Sequence, residues 1–199
     1  MLLKRCFYTR PDVVGIAWEL LGKYLFTQTG GVITGGIITE TEAYAGVGDK
    51  ASHAYGGRRT ARTEVMYSLG GTAYIYLCYG VHSLFNVVTN RNDVPEAVLI
   101  RAIRPAEGLG IMLKRLGKES WNPALTNGPG KVTKALGIHY SQTGTDLLVK
   151  PADRSAEGIW IEDRNFDMKT ARLEVTTRVG VEYAGEDAKR PYRLILHIK

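Results

Sequence analysis

An arginine in the middle of an apolar strand limits what this chain can fold into. The run Val98-Leu99-Ile100-Arg101-Ala102-Ile103 reads as a strand, and alternation places Arg101 on one face with Leu99 and Ile103. A guanidinium buried there without an anion would be very costly, so the fold has to bring a carboxylate beside it. The segment Ile37-Ile38-Thr39-Glu40-Thr41-Glu42-Ala43-Tyr44 offers two. Read as a strand, it puts Ile38, Glu40, Glu42 and Tyr44 on one face, with ~6.7 Å between alternate residues. Alone, Glu-x-Glu fits a solvated edge strand. Beside Arg101 it fits either a core salt bridge or a carboxylate and an arginine that hold and activate a water. The sequence leaves these readings open.

The rest of the chain reads as one domain over 1–199, with no internal repeat, low-complexity segment or Pro/Ser-rich linker. A hydrophobic content of 44% with 23% charged residues excludes a disordered or fibrous chain. No apolar run approaches the ~20 residues of a membrane span, and Met1-Leu2-Leu3-Lys4-Arg5-Cys6 turns polar too soon for a signal peptide. Two cysteines cannot form a disulfide framework and suit a reducing compartment. Asp12 opens an amphipathic helix that Gly22 closes, and further helices are expected over 107–116 and 131–136. Strands are expected over 32–33 and 37–44 around Gly35-Gly36, over 73–79 and 84–89 as a hairpin through Gly80, and over 97–103, ended by Pro105. Four more are expected in the tail, over 147–150, 158–162, 173–179 and 193–198. Few helices among many strands predict an α+β class with mostly antiparallel pairing.

Two composition features bear on function. A net charge of +6 favours an anionic partner, and the chain has 11 Tyr against 4 Phe and 3 Trp. Tyr74, Tyr76 and Tyr79 fall within one short run, the last beside Gly80 at the expected turn. Strand packing accounts for tyrosines in general, but an aromatic at a loop tip also suits insertion between bases or stacking on them. Basic loops carry Arg58, Arg59 and Arg62 after Gly56-Gly57, Lys131 after Asn127-Gly128-Pro129-Gly130, and Lys189 with Arg190. The glycine loop before Lys131 runs into a helix start that could take a phosphate, although its spacing is not that of a P-loop. The four histidines, His53 among them, lack metal-ligand spacing.

Glu40-Thr41-Glu42-Ala43-Tyr44, Ser52-His53-Ala54-Tyr55-Gly56-Gly57-Arg58, Tyr74 to Gly80 with Asn86, Leu99-Ile100-Arg101-Ala102, Asn127-Gly128-Pro129-Gly130-Lys131 and Arg178-Val179-Gly180-Val181 occur in that order. Together they resemble the alkyladenine (3-methyladenine) DNA glycosylase family over roughly residues 5 to 198. The resemblance implies one compact mixed domain, a curved, mostly antiparallel sheet with few helices, of the alkyladenine glycosylase or formyltransferase C-terminal type. It implies a monofunctional repair enzyme that flips alkylated or deaminated purines from duplex DNA and hydrolyses the N-glycosidic bond with water. Glu42 would be the general base, with Arg101 and the Val179 carbonyl holding the water. Tyr44, His53 and Tyr76 would enclose the base, Asn86 would discriminate against guanine, and Tyr79 would wedge into the duplex. Arg58, Arg59, Arg62, Lys131, Lys189 and Arg190 would meet the DNA backbone.

The implied partner is double-stranded DNA containing damaged purines, met by a monomer with no metal, cofactor, membrane or obligate protein partner, in the cytoplasm or on the nucleoid. Val81 stands where the family would have a longer apolar residue such as Met. A catalytically silent nucleic-acid-binding module and a small-molecule hydrolase or transferase on the same scaffold are the rival readings.

Overall fold

β-Branched and aromatic residues at alternating positions supply most of the strands, and these join one sheet. The computed structural model describes residues 1–198. Two helices come first, α1 (Arg5–Tyr8) and α2 (Val13–Leu20). They lead into β1 (Tyr24–Thr29), β2 (Val32–Tyr44), β3 (Ala73–Cys78), β4 (His82–Thr89) and β5 (Glu96–Glu107). Helices α3 (Leu109–Leu116) and α4 (Pro129–Leu136) follow, and then β6 (Gly158–Glu162), β7 (Ala171–Thr176) and β8 (Arg193–Ile198). The pairings are antiparallel, in the order β3, β4, β5, β2, β1, β6, and β8 joins β2 beyond the end of β1 and carries β7. The sheet curls into a half-barrel with few helices, the α+β class expected.

The 13-residue β2 is the spine of this sheet. One edge pairs with β5; the other pairs with β1 along its first half and with β8 along its second. Asp12 caps α2 by accepting the Gly15 amide, and the helix buries Val13, Ile16, Ala17 and Leu20. It packs on β2, while α4 packs on β4 and β5 and α3 on α4.

Besides a register shift at Gly35/Gly36, the β2–β5 ladder slips twice around Glu40: Thr39 is the extra residue on β2 and Arg101 the extra residue on β5. Each bulge reverses the side-chain alternation beyond it. Ile38 and Ala43 both enter the main core, and the Thr41 hydroxyl donates to the Ala17 carbonyl at 2.9 Å. Glu40 and Glu42 therefore share a face that Ile38 does not. Likewise Ile100 and Ile103, three residues apart, are both in the core, so Arg101 does not share a face with Ile103.

Other elements also depart from expectation. Nothing predicted β1, because Leu25, Phe26, Thr27 and Gln28 are all buried between β2 and β6, and burial on both faces erases the alternation. Gly35-Gly36 does not separate two strands; β2 runs through with a register shift there, and the Phe26 ring lies where a Gly35 side chain would be. Pro105 does not end β5, which continues to Glu107, and α3 starts only after Gly108. Residues 147–150 form no strand: Asp146 accepts the Leu148 amide at 3.0 Å, turning the chain so that Leu147 is buried in the core. The strand expected over 173–179 ends at Thr176, which leaves Arg178 and Val179 in a loop.

Gly35→Ala should force Phe26 out of its stack with Trp160, whose ring centroid is 5.5 Å away. Overpacking of this kind costs about 1–3 kcal/mol, read as a lower urea midpoint. Gly48→Ala, where an added Cβ meets nothing within 4 Å, should leave the midpoint unchanged.

Candidate active site

The two bulges turn Glu40, Glu42 and Arg101 toward one another. Arg101 Nε donates to Glu40 Oε1 at 2.8 Å, and its Nη1 donates to Glu42 Oε2 at 3.3 Å. Arg193, on β8, donates from Nε to the same Glu40 oxygen at 2.6 Å. Glu42 Oε1 accepts the Val179 amide at 2.8 Å, and its Oε2 also accepts the Tyr44 hydroxyl at 2.9 Å. The Glu42 side chain is 0% exposed and that of Arg101 13%. Burial pushes the Glu42 carboxyl above the ordinary carboxylate range, and the Glu40 charge adds to this. Arg101, the Val179 amide and the Tyr44 hydroxyl pull the other way. The result is a dry carboxylate with its donors already in place.

Val179 contacts Glu42 through its N–H; what holds that loop is a second buried ion pair, which the sequence reading missed. Arg178 Nη2 donates to Asp49 Oδ1 at 2.8 Å and Nη1 to Asp49 Oδ2, with both side chains fully buried. The guanidinium also donates to the carbonyls of Ala43 at 2.9 Å and Asp187 at 3.0 Å, and lies over the Tyr44 ring, 4.9 Å from its centroid. Asp49 in turn accepts the amides of Ala45 and Ala51. One ion pair thus joins the loop after β2 to the loop after β7. Both residues sit in glycine-containing loops, and no local pattern marks them as buried.

The aromatic residues expected around a base do converge. His53 Nδ1 is 2.8 Å from the Tyr74 hydroxyl, and its ring meets Tyr76 edge-on at 4.7 Å. Buried Asn86 donates to the carbonyls of Tyr74 and Leu84. Tyr44, His53, Tyr76 and Asn86 line a common cavity of about 20 Å³, room for about one water. Arg62 lies over the Tyr76 ring at 4.8 Å. A purine is far larger than this space, so it could enter only if the lining side chains parted. Desolvation and the nearby Arg62 and Arg58 lower the His53 pKa to about 4, so the His53 ring carries no charge at neutral pH.

Tyr79 stands at the tip of the β3–β4 hairpin with 95% of its surface exposed and Val81 beside it at 73%. Its φ of 51° is left-handed, a conformation unusual for a bulky residue. Arg58 and Arg62 border a polar cavity of about 320 Å³ with Lys50 and His53. The remaining basic residues are engaged elsewhere. Arg59 pairs with Glu64 and Asp93, Lys189 with Glu186, and Arg190 with Asp187. Lys131 donates to the Ala124 carbonyl at 2.9 Å. The glycine loop before it braces the arginine bulge, because the Gly128 amide donates to the Arg101 carbonyl at 2.9 Å. Among the described residues no group of three or more His, Cys, Asp or Glu could hold a metal ion, and no helix is long and apolar enough to cross a membrane.

Residues 6–199 match the family described as methylpurine-DNA glycosylase (MPG). A protein of Chlamydia abortus named "Putative 3-methyladenine DNA glycosylase" is 47% identical over 199 residues, all of both chains. Proteins of the same name from Chlamydia felis and Clostridium perfringens are 44% and 42% identical, over 100% and 94% of this chain and 97% and 91% of theirs.

Asp49→Ala should leave the Arg178 guanidinium without a carboxylate in a dry interior. Loss of one partner of a buried pair costs about 3–5 kcal/mol, which chemical denaturation would read directly. Asp49→Asn, which keeps an acceptor for one of the Ala45 and Ala51 amides, should cost less.

Proposed function

The chain belongs to the methylpurine-DNA glycosylase family, and we propose that it excises alkylated and deaminated purines, of the 3-methyladenine, 7-methylguanine and hypoxanthine class, from duplex DNA. The observation that carries the mechanism is the buried Glu42 carboxylate, gripped by Arg101, the Val179 amide and Tyr44. Water attacks C1′ of the sugar as the bond to the purine nitrogen breaks. Glu42 takes the proton from that water, the base departs with the bonding electrons, and an abasic site remains. A carboxylate raised in pKa by burial is a stronger base than a solvated one. Arg101 and the Val179 carbonyl orient the water, as the family pattern implies.

The aromatic wall suits the leaving group. Alkylation at N3 or N7 makes the purine cationic, and a cation over an aromatic face gains ~0.5–2 kcal/mol. Arg62 shows that the Tyr76 face accepts a cation, and the neutral His53 ring does not oppose one. In this reading Tyr44 and Tyr76 stack on the flipped base, His53 closes its other side and Asn86 excludes guanine. A cationic base leaves without protonation; neutral hypoxanthine departs less readily, because among the described residues no carboxylic acid lines the pocket.

Extrusion from the stack costs a few kcal/mol, and the Tyr79 ring would replace part of the lost stacking. The left-handed backbone at Tyr79 supports that role, since such strain costs about 1–3 kcal/mol and persists where a site uses it. Arg58 and Arg62, at the edge of the pocket, would take the flanking phosphates. Arg59, Lys131, Lys189 and Arg190 would reach DNA only by leaving their present partners. In this reading the enzyme acts as a monomer without an obligate protein partner in the cytoplasm, on the nucleoid if the cell is prokaryotic.

Single-turnover excision from duplexes carrying hypoxanthine or a 3-methyladenine mimic should be rapid for wild type and at least ~10²-fold slower for Glu42→Gln. Cleavage requires the ionised carboxylate, so the wild-type rate should fall as pH drops through the Glu42 pKa, with the limb above the usual Glu value of ~4.3. The residual rate of Glu42→Gln should lack that limb. Tight lesion binding with no cleavage by wild type would favour the silent module.

Tyr79→Gly should separate stability from capture. Glycine removes a left-handed penalty of roughly 1–2 kcal/mol, so thermal stability should hold or rise. Residence on lesion DNA should nevertheless shorten, with affinity for undamaged duplex little changed. Equal losses on both duplexes would reduce Tyr79 to a general contact residue.

A further inference from the structure

Glu40 lies two residues before the proposed base and touches no part of the base pocket, yet Arg101 holds it more closely than it holds Glu42. We propose that Glu40 is a positioning residue for the hydrolysis, acting through Arg101 to keep that guanidinium from closing on Glu42. The inference deepens the proposed function and rests on Glu42 being the base.

The geometry is specific. Arg101 Nε meets Glu40 Oε1 at 2.8 Å, whereas the contact from Nη1 to Glu42 Oε2 is 3.3 Å. A guanidinium held at its Nε edge is fixed in its plane and in its reach along the strand. Glu40 is itself fixed from the other side by Arg193 Nε at 2.6 Å, and its side chain is 5% exposed. The main chain supports the arrangement: Glu40 pairs with Ile195 and Glu42 with Arg193 on β8, and the bulges at Thr39 and Arg101 turn the three side chains together. Without Glu40, the two outer nitrogens of Arg101 could take both Glu42 oxygens in the bidentate geometry that arginine and carboxylate favour. That clamp would occupy the lone pairs needed for the water proton and favour the ionised carboxylate, making it a poorer base.

The charged and titratable groups around Glu42 are few. Glu40 and Tyr44 lie on its own strand, Arg101 on β5, Arg193 on β8, Tyr76 on β3 and Arg178 in the loop after β7. Glu40 is the one other carboxyl group among them. A cavity of about 500 Å³ borders Glu40, Ala102 and Arg193, and glutamine has the shape of glutamate, so Glu40→Gln needs no repacking there.

The test compares Glu40→Gln with wild type in single-turnover excision, lesion-duplex binding and the titration of Glu42 followed by ¹³C carboxyl NMR. Glu40→Gln should slow excision about 10-fold to 100-fold, with lesion binding unchanged. The acidic limb and the Glu42 midpoint should both move to lower pH. Arg193→Gln serves as a second variant of opposite sign: with the Glu40 charge less neutralised, limb and midpoint should move to higher pH. A purely structural Glu40 would lower thermal stability in Glu40→Gln while leaving limb and midpoint in place, and that result would overturn the proposal. So would wild-type excision by Glu40→Gln. If wild type excises no lesion, the functional reading falls and this role with it. If wild type excises and the two variants shift nothing, this role alone falls.

Discussion

A carboxylate with no solvent contact has to find inside the protein what water would have provided, and much of the architecture around Glu42 follows from that requirement. It needs a cation, which Arg101 supplies, and hydrogen-bond donors for both oxygens, which come from Arg101, Tyr44 and the Val179 main chain. Each donor then needs its own support. The Val179 amide is in place because Arg178 and Asp49 join two loops across the end of the sheet. Arg101 is in place because a bulge turns it out of the core, with its carbonyl held by Gly128 and its Nε by Glu40. Removing one partner of such a network costs far more than the pair contributes net, since the survivor is left charged in a dry interior. The site is therefore organised from its least soluble atom outward.

The charge pairing at this site was legible in the sequence, and its geometry was not. A guanidinium in an apolar strand demanded an anion, and the two glutamates of β2 were the only strong local candidates. Strict alternation then put Ile38 with Glu40 and Ile103 with Arg101. Both placements failed for one reason: a bulge inserts a single residue and reverses every side chain beyond it, and nothing in Ile38-Thr39-Glu40 or Ile100-Arg101-Ala102 announces it. Strand β1 escaped notice because it is buried on both faces. Pro105 ends no strand here because β5 continues past it, pairing with Gly36 beside the register shift between Gly35 and Gly36. Asp49 and Arg178 meet across 129 residues of chain, and only the folded structure brings them together.

The aromatic wall sets a different problem. Its side chains are assembled around a cavity of about 20 Å³, and Arg62 lies over the Tyr76 ring, the ring that the proposed function has stacking on the purine. A guanidinium there gains attraction from the ring, so a neutral base must displace a favourable contact without replacing it. A cationic base restores the same type of contact. Under the proposed function, that contact would select by charge before any hydrogen bond to the base is formed, in the same sense as leaving-group ability, and both effects would favour alkylated purines over hypoxanthine.

The net charge of +6 says less about DNA binding than its distribution does. Arg59, Lys189 and Arg190 face carboxylates, so phosphates approaching them would meet the negative partner as well as the cation. Arg58, Arg62 and Lys50 gather at one cavity beside the aromatic wall. A field concentrated there is strongest where a flipped nucleotide would carry its own phosphates, and it decays within a Debye length of ~8–10 Å along the duplex. Undamaged DNA offers no flipped phosphate to that cluster. Under the proposed function, intact duplex would meet only the remaining charge, so the local concentration would favour residence where a nucleotide is drawn out of the stack over residence on undamaged DNA.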